Sequence, residues 1–173
     1  MHNIVIYCLS PDEIGPLMRM ISLGKILAED NQNKITLLYG GPLPKGLRIP
    51  TRIRLITLPT TSDSTETNKS FTQSRKEKIR NMFRSIKPSI VILERYPFGH
   101  YQFEEEMTYM ITAARSSEAL CLSSFHGTPM GLEDPEYIRK TSELLSGILV
   151  HDHEDAVDIA TSFKITPKKI FYT

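Results

Sequence analysis

No run in this sequence reaches the roughly 20 consecutive apolar residues that a membrane-spanning helix needs. The first ten residues, "MHNIVIYCLS", lack the cationic start and long apolar stretch of a signal peptide. They read as a first strand, and the expected location is the cytoplasm. Excess charge is missing too. With 21 basic and 20 acidic side chains the formal net charge is +1, so bulk charge predicts no nucleic-acid partner. Cysteine is scarce: Cys8 and Cys121 both lie inside apolar runs and read as buried free thiols, suited to a reducing compartment. There is no serine-histidine-acid triad, phosphate-loop signature or CxxC pair, which removes the enzyme classes that those motifs announce. No cofactor is expected.

What is present is a chain of 173 residues, 40% hydrophobic and 24% charged, enough for one domain with a real core. Short apolar runs alternate with helical periodicities. "NIVIYCL" (3–9) is β-branched, continuous and short, as a strand buried on both faces would be. Leu17, Met20, Ile21, Gly24, Leu27 and Ala28 share one helical stripe, in which the small Gly24 and Ala28 suit close packing on a sheet. "KITLLYG" (34–40) and "RIRLITL" (52–58) read as the second and third strands, joined by the Gly- and Pro-containing loop 41–50. Residues 60–69, "TTSDSTETNK", are polar and turn-rich and read as a mobile loop. They lead into a helix marked by Ile79, Met82, Phe83 and Ile86, which Pro88 ends.

"SIVILE" (89–94) is the most strand-like run, and "RYPFGH" (95–100) is a loop at its end. Phe103, Met107, Met110, Ile111 and Ala114 mark the next helix, with Glu104, Glu105 and Glu106 in its first turns, where the helix dipole favours acids. "EALCLSS" (118–124) is a strand, "FHGTPMGLEDP" a loop, and "EYIRKTSELL" a helix with Pro135 at its start. "GILVH" (147–151), a short helix in "EDAVDIATSF" and a last strand "KKIFYT" complete the pattern. Strand and helix alternate throughout. The expected fold is therefore α/β: a single Rossmann-like doubly wound domain with right-handed crossovers and a mainly parallel sheet of about seven strands. In such sheets ligands sit at the carboxyl ends of the strands, so the loops at 9–16, 40–50, 95–100 and 124–133 should share one rim.

The ordered series "LMRM", "LLYGGPLP", "KPSIVILERYPFG", "LSSFHG", "GILVHDHEDAVDIA" and "KKIFYT" resembles the N-terminal domain of a family of predicted bacterial glycosyltransferases. These are distant relatives of the enzyme that adds N-acetylglucosamine to the peptidoglycan lipid precursor. "YGGPLP" and "ERYPFG" are the most specific parts. The resemblance covers essentially the whole chain and implies one half of the two-domain GT-B architecture. In that family the N-terminal half binds the acceptor, the C-terminal half binds the nucleotide-sugar donor, and chemistry occurs in the cleft between them. The resemblance further implies that residues 1–173 are the acceptor-side half and that the donor half is absent.

Two loops depart from the family's pattern. Where the family has Gly-x-Gly-His-x-x-Arg, this chain has "SPDEIGPLMRM" (10–20), with Glu13 at the first glycine position and Pro16 at the histidine position. Gly15 and Arg19 remain. Proline cannot act as a base and has no amide hydrogen for a phosphate, and Glu13 repels an anion. This loop reads as a relic of a ligand loop. Where the family tends to have Ser-x-Arg-Asp, this chain has Ser124-Phe125-His126-Gly127: a charge pair is lost and a histidine appears.

The expected substrate-binding residues are Gly15, Arg19, Glu94, Arg95, Phe98, His100, Ser124 and His126. For "RYPFGH" the competing reading is a rigid loop in which Pro97 and Gly99 set the turn; for His100 and His126 it is a solvated loop histidine. "HDHED" (151–155) invites a metal site. Side chains diverge in a strand-to-helix turn, however, and acids there serve as caps, so no metal is expected. The helix carrying Lys69, Arg75, Lys76, Lys78, Arg80, Arg84 and Lys87 reads as a solvated face. The alternative is peripheral contact with anionic lipid headgroups through Arg75, Lys76, Lys78, Arg80 and Arg84, or with an acidic partner. Two functions remain open. One is a glycosyltransferase-like acceptor domain, inactive alone and working with a donor-domain protein. The other is a non-catalytic binding or scaffold protein derived from such a half, associating with a partner or with itself.

Overall fold

Strand β1 (His2–Cys8) is apolar on both sides: Val5 and Tyr7 point to one face of a sheet, Ile4, Ile6 and Cys8 to the other, and all five are essentially inaccessible. A strand of this kind belongs at the centre of a parallel sheet, and β1 is there. The computed structural model describes residues 1–9, 14–59, 68–127, 134–153, 157–166 and 169–173, with the backbone alone for 68–72. The remaining strands are β2 (Asn33–Tyr39), β3 (Ile53–Thr57), β4 (Ile90–Glu94), β5 (Leu120–Phe125), β6 (Gly147–Val150) and β7 (Ile170–Tyr172). They form one seven-stranded sheet in the order β3-β2-β1-β4-β5-β6-β7. Every pairing is parallel, with Ile4 opposite both Ile35 and Ile90. Each of the seven expected strand runs is a strand.

Among the described residues five α-helices join the strands: α1 (Ile14–Leu27), α2 (Asn68–Ile86), α3 (Glu104–Ser116), α4 (Pro135–Leu144) and α5 (Ile159–Phe163). Chain direction sorts them. α1 carries the chain leftwards from β1 to β2, whereas α2 to α5 carry it rightwards, so crossovers of a single hand put them on opposite faces. The core divides accordingly. Leu17, Met20 and Ile21 of α1 pack on Ile4, Ile6, Ile35 and Ile92. The larger cluster joins Ile79, Met82 and Phe83 of α2 to Met107, Met110 and Ile111 of α3, Ile138 of α4 and Phe163 of α5. The α1 side of β5–β7 has no helix over it among the described residues, and Leu120 and Phe171 stand half exposed there.

Gly24 lies where α1 touches the sheet. A Cβ at this position would meet Ile53 Cδ1 at 2.9 Å and Ile35 Cγ2 at 3.4 Å, so a larger residue would push the helix away. α4 starts as its sequence suggests. Asp134 caps it by accepting from the Glu136 amide at 2.9 Å, and Pro135 occupies the first turn. Pro16 is buried in the first turns of α1, where a missing amide hydrogen costs little. The readings placed on Glu13, on residues 60–67, on the 128–133 part of the rim and on Glu154 and Asp155 lie outside the described residues. No helix among the described residues is long and apolar enough to cross a membrane.

Both thiols are free and fully buried. Burial pushes the Cys121 thiol up to about 12. Cys8 rises through burial first and the nearby Glu94 charge second. Thiolate is the reactive form, so a maleimide reagent is expected to label neither residue in the native protein and both after denaturation, read by mass spectrometry. Rapid native labelling of either would contradict the packing of β1 or β5.

Candidate functional site

The strand order reverses between β1 and β4: from β1 the chain turns towards β2, from β4 towards β5. An open parallel sheet has its ligand crevice at such a switch point, at the carboxyl ends. Three of the expected residues meet there. Glu94, the last residue of β4, is 1% exposed. Its Oε1 lies 3.6 Å from Arg19 Nη2 of α1, and its Oε2 lies 2.9 Å from His100 Nε2 of the β4–α3 loop. A buried carboxylate needs such partners, and here both come from segments flanking the switch point.

The polar row continues across the next strands. Glu94 pairs in register with Ser124 at the end of β5. Ser124 Oγ is 2.8 Å from His151 Nε2, and His151 Nδ1 is 2.8 Å from Thr173 Oγ1. His126 Nδ1 donates to the His151 carbonyl at 2.8 Å. His151, just past β6, was not among the expected site residues, yet it ties the row together. Burial above all, then the charges of Arg19 and His126, holds its imidazole below the usual histidine range.

A depressed folded-state value has a definite sign. The unfolded chain binds a proton that the folded one resists, so this contribution to stability is intact above the ordinary value of 6.5 and is lost as pH falls through the lower folded value. Urea melts between about pH 7.5 and about pH 5 are expected to show weaker folding at the acid end. A His151→Gln variant should show a flatter dependence. An equal slope in the two proteins would contradict the burial of this ring.

The remaining expected residues separate. Phe98 is not a rim residue: it is 1% exposed and packs its ring 4.6 Å from Phe125 and 5.6 Å from Phe163. An aromatic ring beside a strand end finds more apolar surface below the rim than on it. Arg95 takes a left-handed backbone (φ 59°), and its amide donates to the Ser124 carbonyl at 2.8 Å. Its side chain runs past Gly99, and Nε is buried with no hydrogen-bond partner among the described residues. His100 is also left-handed (φ 64°), whereas Gly99 is not. The turn thus rests on Arg95 and His100 rather than on Gly99. Non-glycine residues persist in that region only where the surroundings hold them. Gly15 is exposed, and its nearest side-chain neighbour is Arg19. Among the described residues no group of three or more side chains is placed to hold a metal ion.

A second polar cluster lies under the same rim, on the large-core face. Arg75 is 1% exposed and Glu106 3%. Arg75 Nε and Nη2 donate to Glu106 Oε2 and Oε1 at 2.8 and 2.9 Å, Nη2 reaches Tyr7 Oη at 3.0 Å, and Nη1 donates to the Pro59 carbonyl at 2.7 Å. Tyr7 Oη donates to Glu106 Oε1, and the guanidinium sits 5.0 Å above the Phe103 ring. Burial pushes Glu106 up and Arg75 down; the bidentate contact opposes this by holding the charged forms together. Two expectations change. Arg75 belongs to no solvated or lipid-facing surface, while Lys78, Arg80 and Arg84 of the same helix are exposed. Glu106 serves an ion pair rather than the helix dipole alone.

A groove of ≈ 370 Å³ runs along α1, lined by Met18, Arg19, Leu23, Ile26 and His151 among others, and so adjoins the Glu94 site. A wider one, ≈ 550 Å³, lies at the amino ends of β1–β3 beside Lys34, Arg52 and Arg54. It contains none of the switch-point residues, so the geometry favours the smaller groove.

No family profile and no curated protein matches the sequence. Solved structures do. Phytolacca americana UGT2, complexed with UDP-2fluoro-glucose and pterostilbene, is 14% identical, with a TM-score of 0.65 over 99% of this chain and 53% of that one. The Neisseria meningitidis UDP-GlcNAc 2-epimerase bound to UDP-GlcNAc is 14% identical, with a TM-score of 0.62 over 100% and 46%. Acinetobacter baumannii MurG is 11% identical, with a TM-score of 0.57 over 100% and 46%. At these identities the likeness establishes the fold, that of the GT-B proteins at a distant remove. The chain spans about half the length of each of these structures.

Proposed function

We propose that this chain is the acceptor-side half of a cytoplasmic nucleotide-sugar enzyme of GT-B type, inactive alone and dependent on a donor-binding domain that residues 1–173 do not contain. The observation that carries the reading is the position of the Glu94, Arg19 and His100 cluster. It occupies the switch point of a sheet that superposes along its whole length on half of proteins solved with UDP-2fluoro-glucose or UDP-GlcNAc. A cleft between two domains needs polar groups on the facing rim of each, and this rim supplies them.

The test uses the purified chain with radiolabelled UDP-glucose or UDP-GlcNAc and a panel of phenolic, sugar and lipid acceptors. No transfer above background is expected from the chain alone. Sustained transfer would overturn the dependence on a donor domain.

A second reading, a binding or scaffold protein without chemistry, is favoured by Pro16 at the position of the family's histidine and by the half-exposed Leu120 and Phe171. Exposed apolar surface of this kind marks association. Under this reading light scattering at micromolar concentration shows a dimer or larger species that Leu120→Asp with Phe171→Asp disperses. Charge reversal at Lys78 and Arg80 is the control and leaves it intact.

A further inference from the structure

The rim holds three histidines, and their hydrogen bonds differ in kind. His151 has both ring nitrogens engaged, with Ser124 and Thr173. His126 is oriented by a backbone carbonyl, the His151 oxygen, and carries no ionic partner among the described residues. His100 alone has one nitrogen on a carboxylate. Glu94 Oε2 lies 2.9 Å from its Nε2, and a carboxylate only accepts, so Nε2 carries the hydrogen. The neutral ring then has its lone pair on Nδ1, which meets no partner among the described residues.

The rest of the local structure holds this arrangement in place. Glu94 is 2% exposed in its side chain and is tied to Arg19 at 3.6 Å, so the orienting group does not swing. The His100 side chain is 15% exposed, which leaves part of the ring at the rim. Its left-handed backbone is a conformation that a non-glycine residue keeps only under constraint, and such positions concentrate at working sites. An imidazole held by a carboxylate on one nitrogen and unpartnered on the other has the constitution of a proton acceptor.

We propose that His100, positioned by Glu94, is the proton acceptor of this rim. The proposal rests on the nucleotide-sugar reading above and assigns His100 the task that Pro16 cannot perform. In the step, an acceptor hydroxyl gives its proton to His100 Nδ1 as its oxygen bonds to the anomeric carbon of the nucleotide sugar. The bond from that carbon to the diphosphate oxygen breaks, and its electron pair leaves with the nucleoside diphosphate. The imidazolium so formed stays beside the Glu94 carboxylate, which stabilises it.

The experiment reads the ring itself. The full chain is labelled with ¹⁵N-histidine, and His100 is assigned by loss of its signals in His100→Gln. Long-range proton–nitrogen correlation, recorded at a pH where the spectrum itself shows the ring neutral, is expected to show a single tautomer, with hydrogen on Nε2 and a bare Nδ1. Diethyl pyrocarbonate, followed by mass spectrometry, is expected to modify His100 in the native protein, and Glu94→Gln is expected to lose the single tautomer. Hydrogen on Nδ1 in the wild type, or a His100 that the reagent does not reach, overturns the proposal. If Glu94→Gln fails to fold, the wild-type spectrum and labelling decide. Neither readout uses a nucleotide sugar. Failure here leaves the half-enzyme reading standing, and failure of that reading leaves the tautomer result intact.

Discussion

Arg75→Met is expected to cost the folded state about 3–5 kcal/mol, because it leaves the Glu106 carboxyl buried without its ionic partner, to stay charged or to take up a proton. Glu106 has no water to turn to at 3% exposure, and the substitution also removes the donors that meet Tyr7 and the Pro59 carbonyl. Four separate elements, β1, the segment after β3, α2 and α3, lose their common tie at once. Equilibrium urea unfolding at neutral pH measures the loss. Glu106→Leu alone should cost a similar amount, now leaving the buried guanidinium without its carboxylate. Combining Arg75→Met, Glu106→Leu and Tyr7→Phe should recover most of it, since apolar groups of similar volume replace a buried pair with little net change. Additive losses in the combined variant would mean that the three residues do not act as one network.

The second large effect is at Phe98. Phe98→Ala is expected to cost about 3–5 kcal/mol by the same measurement, the usual range for deleting a buried aromatic ring. The ring fills the space between Phe125 of β5 and Phe163 of α5, so its loss opens a cavity that two elements line. A cost below about 1 kcal/mol, the scale of ordinary surface substitutions, would return Phe98 to the rim as a ligand contact.

These two residues also show where the sequence misleads. The strands are legible because a parallel sheet with both faces covered demands continuous short apolar runs, and "NIVIYC" or "IVILE" offers a helix no polar side to turn outwards. Glu94 and His100 are legible by position alone, as polar residues following a buried strand. Arg75 is harder. It stands four residues before Ile79, on the same stripe as Met82, Phe83 and Ile86, which places it inside, but its neighbours Lys76, Lys78 and Arg80 make the whole helix look like a wetted basic face. Glu106 is disguised in the same way by Glu104 and Glu105. For such residues the stripe is better evidence than the charge of the surroundings. His151 is the last residue of the run "GILVH" and shares the parity of Gly147 and Leu149, but the acids of "HDHED" direct attention to caps and metals. The left-handed turns at Arg95 and His100 have no signal, since glycine, the residue that would announce them, stands at neither.

The two faces of the sheet carry unequal shares of the packing. Glu94, Ser124 and His151 all point to the side that, among the described residues, α1 alone covers, while the stacked helices α2 to α5 cover the other side. A substitution at the rim of this side therefore disturbs less packing than one beneath the stacked helices. Superposition on solved structures at only 11–14% identity fits a fold set by its packing pattern more than by the identity of its rim residues.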